Sequence, residues 1–145
     1  MNILKSINLF RYLKISFLIA IISFAASCTK TNDEDVDIDD RDKLIGTWNC
    51  SETQGDGDLT NFTVTISKHT NSSQVILNNF YHSGTDVNVY AVVAGSTITF
   101  PKQVVCEGTD IETGTGTYSN NKINFTYKIK IEPNYDNCTA VFTKQ

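Results

Sequence analysis

Proline is almost missing from this chain. Of 145 residues only Pro101 and Pro133 are proline, so nearly every backbone amide is free to donate to a sheet ladder. Histidine is as scarce, with His69 and His82 the only two, and none of the four cysteines forms a C-x-x-C pair. A zinc site draws its ligands from such groups, so no metal site is expected. No nucleophile elbow is present, and the two histidines lie in turn-like stretches with serines scattered at no fixed spacing. Glu107, Asp110 and Glu112 form an acidic patch that reads as solvated surface, because paired carboxylates need a shaped cleft before they act as acid and base. No catalytic residue is assigned, no cofactor is expected, and an enzyme is not the expected reading. Cations are thin as well. From Cys28 onward nine Lys and Arg face all sixteen Asp and Glu, leaving that part of the chain near −7. Nucleic acid and anionic lipid headgroups need clustered cations and are excluded as expected partners.

What is present divides the chain into three. Residues 1–14 carry Lys5, Arg11 and Lys14 with no acidic group, and Ile15 to Ala26 form an uncharged apolar run. A basic region, an apolar core of about a dozen residues and small residues at its end match a secretory signal, and the run is shorter than the roughly 20 residues of a membrane-spanning helix. Ala25-Ala26-Ser27-Cys28 resembles the lipobox of bacterial lipoproteins, with Ala25 where that motif usually has Leu. The resemblance implies that residues 1–27 are a lipoprotein signal peptide removed before Cys28. It also implies that the Cys28 thiol carries fatty acid (palmitate-type) chains, several of which anchor a protein stably where one would not.

Residues 28–42 form the second part. Asp33, Glu34, Asp35, Asp37, Asp39, Asp40 and Asp42 stand there against Lys30 and Arg41, too little apolar surface to pack, and a solvated disordered tether is expected. Asp33, Asp35, Asp37 and Asp39 alternate as Ca²⁺ ligands can, but the loop glycine and closing Glu of an EF-hand are missing. Acidic residues soon after a lipidated cysteine resemble the export signal of Bacteroidota-type lipoproteins. That implies an outer-membrane, lipid-anchored protein at the cell surface.

The third part, 43–145, is rich in Thr, Asn, Val, Ile and aromatics, a strand-and-turn composition of one-domain size. Strands are expected near 46–54, 60–68, 75–81, 87–93, 97–100, 111–119, 123–131 and 137–143, with 102–110 open between loop and bulged strand start. The clearest runs from Ile123 to Ile131, where Ile123, Phe125, Tyr127, Ile129 and Ile131 alternate with Asn124, Thr126, Lys128 and Lys130. Asn120-Asn121 supplies a two-residue hairpin, since Asn accepts positive φ. Eight short strands with local connections predict an all-β fold, an antiparallel up-and-down barrel, with a β-sandwich as the alternative. The N-terminal signal is the one expected helix.

Gly46-Thr47-Trp48, at the head of the first strand, resembles the Gly-x-Trp signature of lipocalins and, with the leader and tether, the small lipocalin-like lipoproteins of Bacteroidota. In that family the Trp closes one barrel end beneath a basic side chain from the last strand, and here only Lys144 is placed to serve. The resemblance implies a barrel whose interior (Trp48, Phe62, Leu77, Phe100, Phe125, Tyr127, Phe142) lines a site for a small apolar ligand, widened by Gly114 and Gly116 if these point inward. The competing expectation is a solidly packed core, with the loops and outer wall meeting another surface protein or serving the envelope structurally. With Cys28 lipidated, three cysteines remain and permit one disulfide. Cys106–Cys138 is expected from the parallel direction of the sixth and eighth strands, with Cys50–Cys138 as the rival because first and last strands adjoin in a closed barrel.

Overall fold

The computed structural model describes residues 38–145. The expected signal helix, Cys28 and most of the tether lie outside these residues. Within them the chain is a closed antiparallel barrel, and the sandwich alternative is excluded.

The strands are β1 (Gly46–Thr53), β2 (Leu59–Lys68), β3 (Gln74–Asn78), β4 (Asn88–Ala94), β5 (Thr97–Phe100), β6 (Gln103–Cys106), β7 (Thr109–Ser119), β8 (Lys122–Ile131) and β9 (Asn134–Lys144). Sequence neighbours pair throughout except β5 and β6, β1 pairs with β9, and β5 pairs with β7, which closes the ring. β5 and β6 occupy one barrel position. Thr97 faces Thr117 and Phe100 faces Gly114, and the same register continues as Gln103 against Ile111. Pro101, which has no amide donor, splits this strand in two. Eight barrel strands result, and the undecided 102–110 segment divides into the second half of the fifth one (103–106), a turn and the start of β7. Across the split the Gln103 side chain stands in for a peptide group: its Nε2 donates to the Tyr90 carbonyl at 2.7 Å, and its Oε1 accepts from the Tyr90 N–H at 2.8 Å.

Alternation sets the inside of the barrel. Trp48, Val64, Ile66, Leu77, Val89, Ala91, Ile98, Phe100, Ile111, Ile123, Phe125, Ile129, Ala140 and Phe142 are all buried, while the Thr, Asn and Lys residues between them face water. Asn120 and Asn121 both take positive φ (51° and 58°), as the tight β7–β8 hairpin requires.

One barrel end is capped by chain that precedes β1. Leu44 is fully buried, and the Trp48 Nε1–H donates to the Leu44 carbonyl at 2.9 Å. Lys144 lies over the indole, its Nζ 5.5 Å from the ring centroid, and donates to the Lys43 carbonyl at 2.9 Å. Gly46 enters β1 at φ +129°, a conformation side chains rarely adopt, so the Gly of Gly-x-Trp has a backbone reason.

The expected tether boundary shifts. The compact unit begins at Ile38 rather than after Asp42. Arg41 is clamped by the Asp39 carboxylate and donates to the carbonyls of His69, Asn71 and Gln74, while Lys68 pairs with Asp39 and Asp42 at 2.7 and 2.6 Å. Acidic composition predicts solvation only where no cations wait, and here Arg41 and Lys68 give Asp39 and Asp42 a place to dock.

Candidate functional site

The opposite barrel end is built differently. β3 stops at Asn78, short of the expected Tyr81, and the chain turns inward. Asn79, Tyr81 and His82 take left-handed φ values of 61°, 56° and 53°. This 3₁₀ turn, Phe80–His82, drops Phe80 into the barrel, where it is fully buried. Its ring centroid lies 4.7 Å from that of Phe100, 4.8 Å from Tyr127 and 6.4 Å from Phe125. A connecting segment thus supplies the central side chain of an aromatic cluster otherwise made by strands.

The segment is latched on three sides. Asn79 Nδ2 donates to the Thr63 carbonyl at 2.8 Å, His82 stacks on Phe62 at 5.4 Å, and Tyr81 Oη–H donates to Asp136 Oδ2 at 3.4 Å. Its own geometry works against it. A left-handed non-glycine residue costs about 1–2 kcal/mol, and Tyr81 and His82 are consecutive. Burying one Phe side chain returns about 1.5–3 kcal/mol. These two terms nearly cancel, so the plug depends on its latches to stay in place.

Beneath it lies Glu52, the sole buried polar or charged residue among those described, 1% exposed. It accepts a short hydrogen bond from the Tyr127 hydroxyl. Burial pushes its carboxyl up from the ordinary range, the Tyr127 hydrogen bond opposes this, and the Asp136 charge adds to the rise. Asp136 points inward from β9, accepting from the Gly55 amide at 2.6 Å and from the Cys138 thiol at 3.3 Å. Burial also raises the Tyr127 hydroxyl and the Cys50 and Cys138 thiols, which leaves these thiols protonated and unreactive. No Lys or Arg among the described residues forms an ion pair with Glu52 or Asp136.

Of the residues expected to line a site, Phe100, Phe125, Tyr127 and Phe142 come together, with Phe100–Phe125 at 5.2 Å and Phe125–Phe142 at 4.9 Å. Leu77 is buried in the same core, Phe62 is half-buried under His82, and Trp48 sits at the capped end. Gly114 and Gly116 do face inward, but they do not widen the interior. A Cβ on Gly114 would meet Tyr127 Cβ at 2.7 Å and Phe100 at 2.8 Å, and one on Gly116 would meet the Phe125 ring at 2.3 Å. Their missing side chains are replaced by neighbouring rings.

Neither expected disulfide forms, since Cys50, Cys106 and Cys138 are all free. Cys106 is exposed at the end of β6, whereas Cys138 faces the interior beside Asp136, so strand direction brought them to one end but on opposite sides of the wall. Cys50 stands opposite Phe142 in the β1–β9 ladder, four residues from Cys138 along β9. Glu52 was legible in principle. Trp48 and Cys50 share the inner face of β1, and the same alternation carried on by two positions places Glu52 there. The plug carries a weaker signal: Asn78 and Asn79 interrupt the apolar residues of 75–81 and Asn accepts the left-handed φ found at Asn79, but Phe80 and Tyr81 beyond them read as a continuation of the strand.

Similarity searches found no protein-family profile and no curated protein matching the sequence. Solved structures do resemble the barrel. A redesigned β-barrel aligns with TM-score 0.55 and 13% identity over 74% of this chain and 96% of that one. EF1p2_mFAP2b bound to DFHBI aligns with TM-score 0.53 and 12% identity over 74% and 98%. A candidate outer membrane protein of Bacteroides fragilis aligns at TM-score 0.46 and 19% identity, this chain spanning 53% of its length. The first two likenesses bear on the fold alone and agree with the class that the strand order defines: an eight-stranded, up-and-down antiparallel β-barrel.

Proposed function

We propose that this protein is a small-molecule-binding barrel, held at the outer membrane surface by fatty acids on Cys28, whose ligand enters at the end plugged by Phe80. The observation that carries this reading is the plug itself: a buried aromatic side chain delivered by a strained, latched connection instead of a strand. Residues in unfavourable φ/ψ persist where surrounding structure holds them, and they gather at ligand clamps and switches. Removing Phe80 would open a space walled by Phe100, Phe125 and Tyr127, apolar and of the kind small ligands occupy. The anchoring half of the proposal rests on the lipobox-like Ala25–Cys28 and the acid-rich stretch behind it. No catalytic role is assigned to any residue.

A second reading is favoured by one observation. The neighbouring rings fill the space at Gly114 and Gly116, as expected of a structural or protein-interaction module with a solid core. Native mass spectrometry of delipidated protein soaked in a lipid and metabolite mixture separates the two. A retained species that Phe80→Trp expels supports the binder, and no retained species in wild type or Phe80→Ala supports the solid module. For the anchor, metabolic labelling with radioactive palmitate should mark the wild type and leave Cys28→Ala unlabelled.

A further inference from the structure

The plugged end holds a second feature that an apolar pocket does not need. Glu52 is buried with no Lys or Arg partner among the described residues, His82 being the cationic side chain near enough to act on it. The inward-facing Asp136 is linked to it through Tyr81, which bonds Asp136 and packs edge to face on Tyr127 at 6.5 Å. Tyr127 joins this pair to the aromatic cluster: one side of its ring packs on Phe80 at 4.8 Å, and its hydroxyl bonds Glu52. The connections around this opening carry one sign of charge. Residues 54–58, 79–87, 107–108 and 132–133 contain Asp56, Asp58, Asp86, Glu107 and Glu132 and no Lys or Arg, and of these acids Glu132 alone is in an ion pair, with Lys130 of β8 at 2.6 Å. The connections at the other end, 69–73, 95–96 and 120–121, contain no acid at all. An opening ringed by acids raises the local concentration of cations and disfavours anions.

We propose that the ligand of this barrel is an arylalkylamine, its ring replacing Phe80 among Phe100, Phe125 and Tyr127 and its aliphatic ammonium pairing with Glu52 and Asp136. The inference rests on the small-molecule-binding reading and adds the ligand's chemistry to it. An ammonium meets the needs of the site in three ways. It supplies the counter-charge that the protein withholds from Glu52, its N–H donors suit acceptor-only carboxylates, and the ring faces of Tyr127 and Tyr81 attract a cation. Tyr81 and Tyr127 lie edge to face at 6.5 Å, with Tyr81 latched to Asp136, so an incoming ammonium competes directly for the latch that holds the plug shut. Ring entry and latch release are then one event.

The test compares three fluorophores on the purified chain: dansylcadaverine (cationic), dansylamide (neutral) and dansylglycine (anionic). Binding is read by fluorescence titration, and the single Trp48, remote at the capped end, reports that each variant is folded. Dansylcadaverine should bind at least about tenfold more tightly than dansylamide, a difference of about 1.4 kcal/mol, with dansylglycine weakest. Glu52→Gln should erase that preference while dansylamide binding persists, and Asp136→Asn should reduce it. Phe80→Ala should tighten all three probes. Equal binding of the three probes, or a preference that survives Glu52→Gln in folded protein, would overturn the amine assignment and leave the small-molecule reading standing. No binding of any probe, even to Phe80→Ala, would overturn both.

Discussion

The two ends of this barrel solve the same problem in opposite ways. Each must stop water from reaching an apolar interior. At the capped end Trp48 comes from a strand, its N–H is satisfied by Leu44, and Lys144 and the docked Ile38–Ile45 segment seal it from outside. The pieces there are in ordinary geometry apart from Gly46, Gly95 and the Asn120-Asn121 hairpin, where glycine removes the penalty and asparagine reduces it. At the plugged end the stopper comes from a connection, the left-handed pair is Tyr81-His82 rather than two asparagines, and a carboxyl bonded by Tyr127 with no Lys or Arg partner among the described residues lies beneath. Burial alone does not separate the ends, since Trp48 and Phe80 are both fully buried. What separates them is how much each closure costs to hold, and hence which end opens first.

The largest expected effects belong to the strand-borne aromatics. Trp48→Ala and Phe142→Ala should each cost about 3–5 kcal/mol, the usual range for emptying a site that cannot collapse. Phe80→Ala should cost about half as much, because the truncated plug is free to leave its left-handed conformation and recover that strain. Urea denaturation of the three variants tests the comparison directly. If Phe80→Ala is as damaging as Phe142→Ala, the plug is ordinary core and the ends do not differ.

How far the sequence reveals this asymmetry follows from what each end is made of. The capped end is written in local signals: a glycine before a tryptophan, a lysine in the last strand, an Asn-Asn hairpin. All concern strands and tight turns, whose period and turn chemistry are visible residue by residue. The barrel follows from the same signals. The plugged end depends on contacts between distant segments. Tyr81 meets Asp136 and Glu52 meets Tyr127 only once the barrel has closed. At Asn79–His82 the Asn78-Asn79 pair marks a turn locally, but the left-handed Tyr81 and His82 and the burial of Phe80 depend on those distant contacts and run against the β propensity of Phe80 and Tyr81. The disulfide expectation failed for a related reason. Strand order gives the barrel end, but only register and pleat give the face, and Cys106 and Cys138 differ in face.

A smaller effect, with a sign that differs between the ends, comes from pH. Burial raises the folded-state carboxyl of Glu52 above its unfolded value, so the folded chain holds that proton more tightly. Its contribution to stability therefore falls as pH rises from the ordinary carboxylate value near 4 through the raised folded value, and is level above it. Glu52→Gln keeps an acceptor for Tyr127 and removes the charge. It should stabilise the protein by on the order of 1 kcal/mol at pH 8, with the gain vanishing near pH 4. Asp39 runs the other way. Hydrogen bonds from Arg41 and Lys68 hold its carboxyl well below the ordinary range, so its contribution is present above about pH 4 and is lost on acidification. Urea midpoints from pH 4 to 8 should thus rise for Glu52→Gln relative to wild type, and an Asp39→Asn deficit should shrink only toward the acid end.

The smallest expected effect tests whether the cap over Trp48 is held by charge or by cover. Lys144 sits 5.5 Å from the indole centroid and bonds the Lys43 carbonyl, but the indole beneath is already fully buried by Leu44 and its neighbours. Cation–π attraction at a solvent-facing site contributes about 0.5–1 kcal/mol, and Met retains the apolar stem while losing the ammonium. Lys144→Met should therefore cost about 0.5 kcal/mol, whereas Lys144→Arg should cost less, because a guanidinium both stacks on indole and can donate to the Lys43 carbonyl. Salt offers the control: exposed charge interactions weaken with ionic strength, so the gap between wild type and Lys144→Met should narrow in 1 M NaCl, where the screening length is about 3 Å. A Lys144→Met penalty comparable to that of Trp48→Ala would mean that the lysine holds this end closed, and both ends would then depend on removable latches.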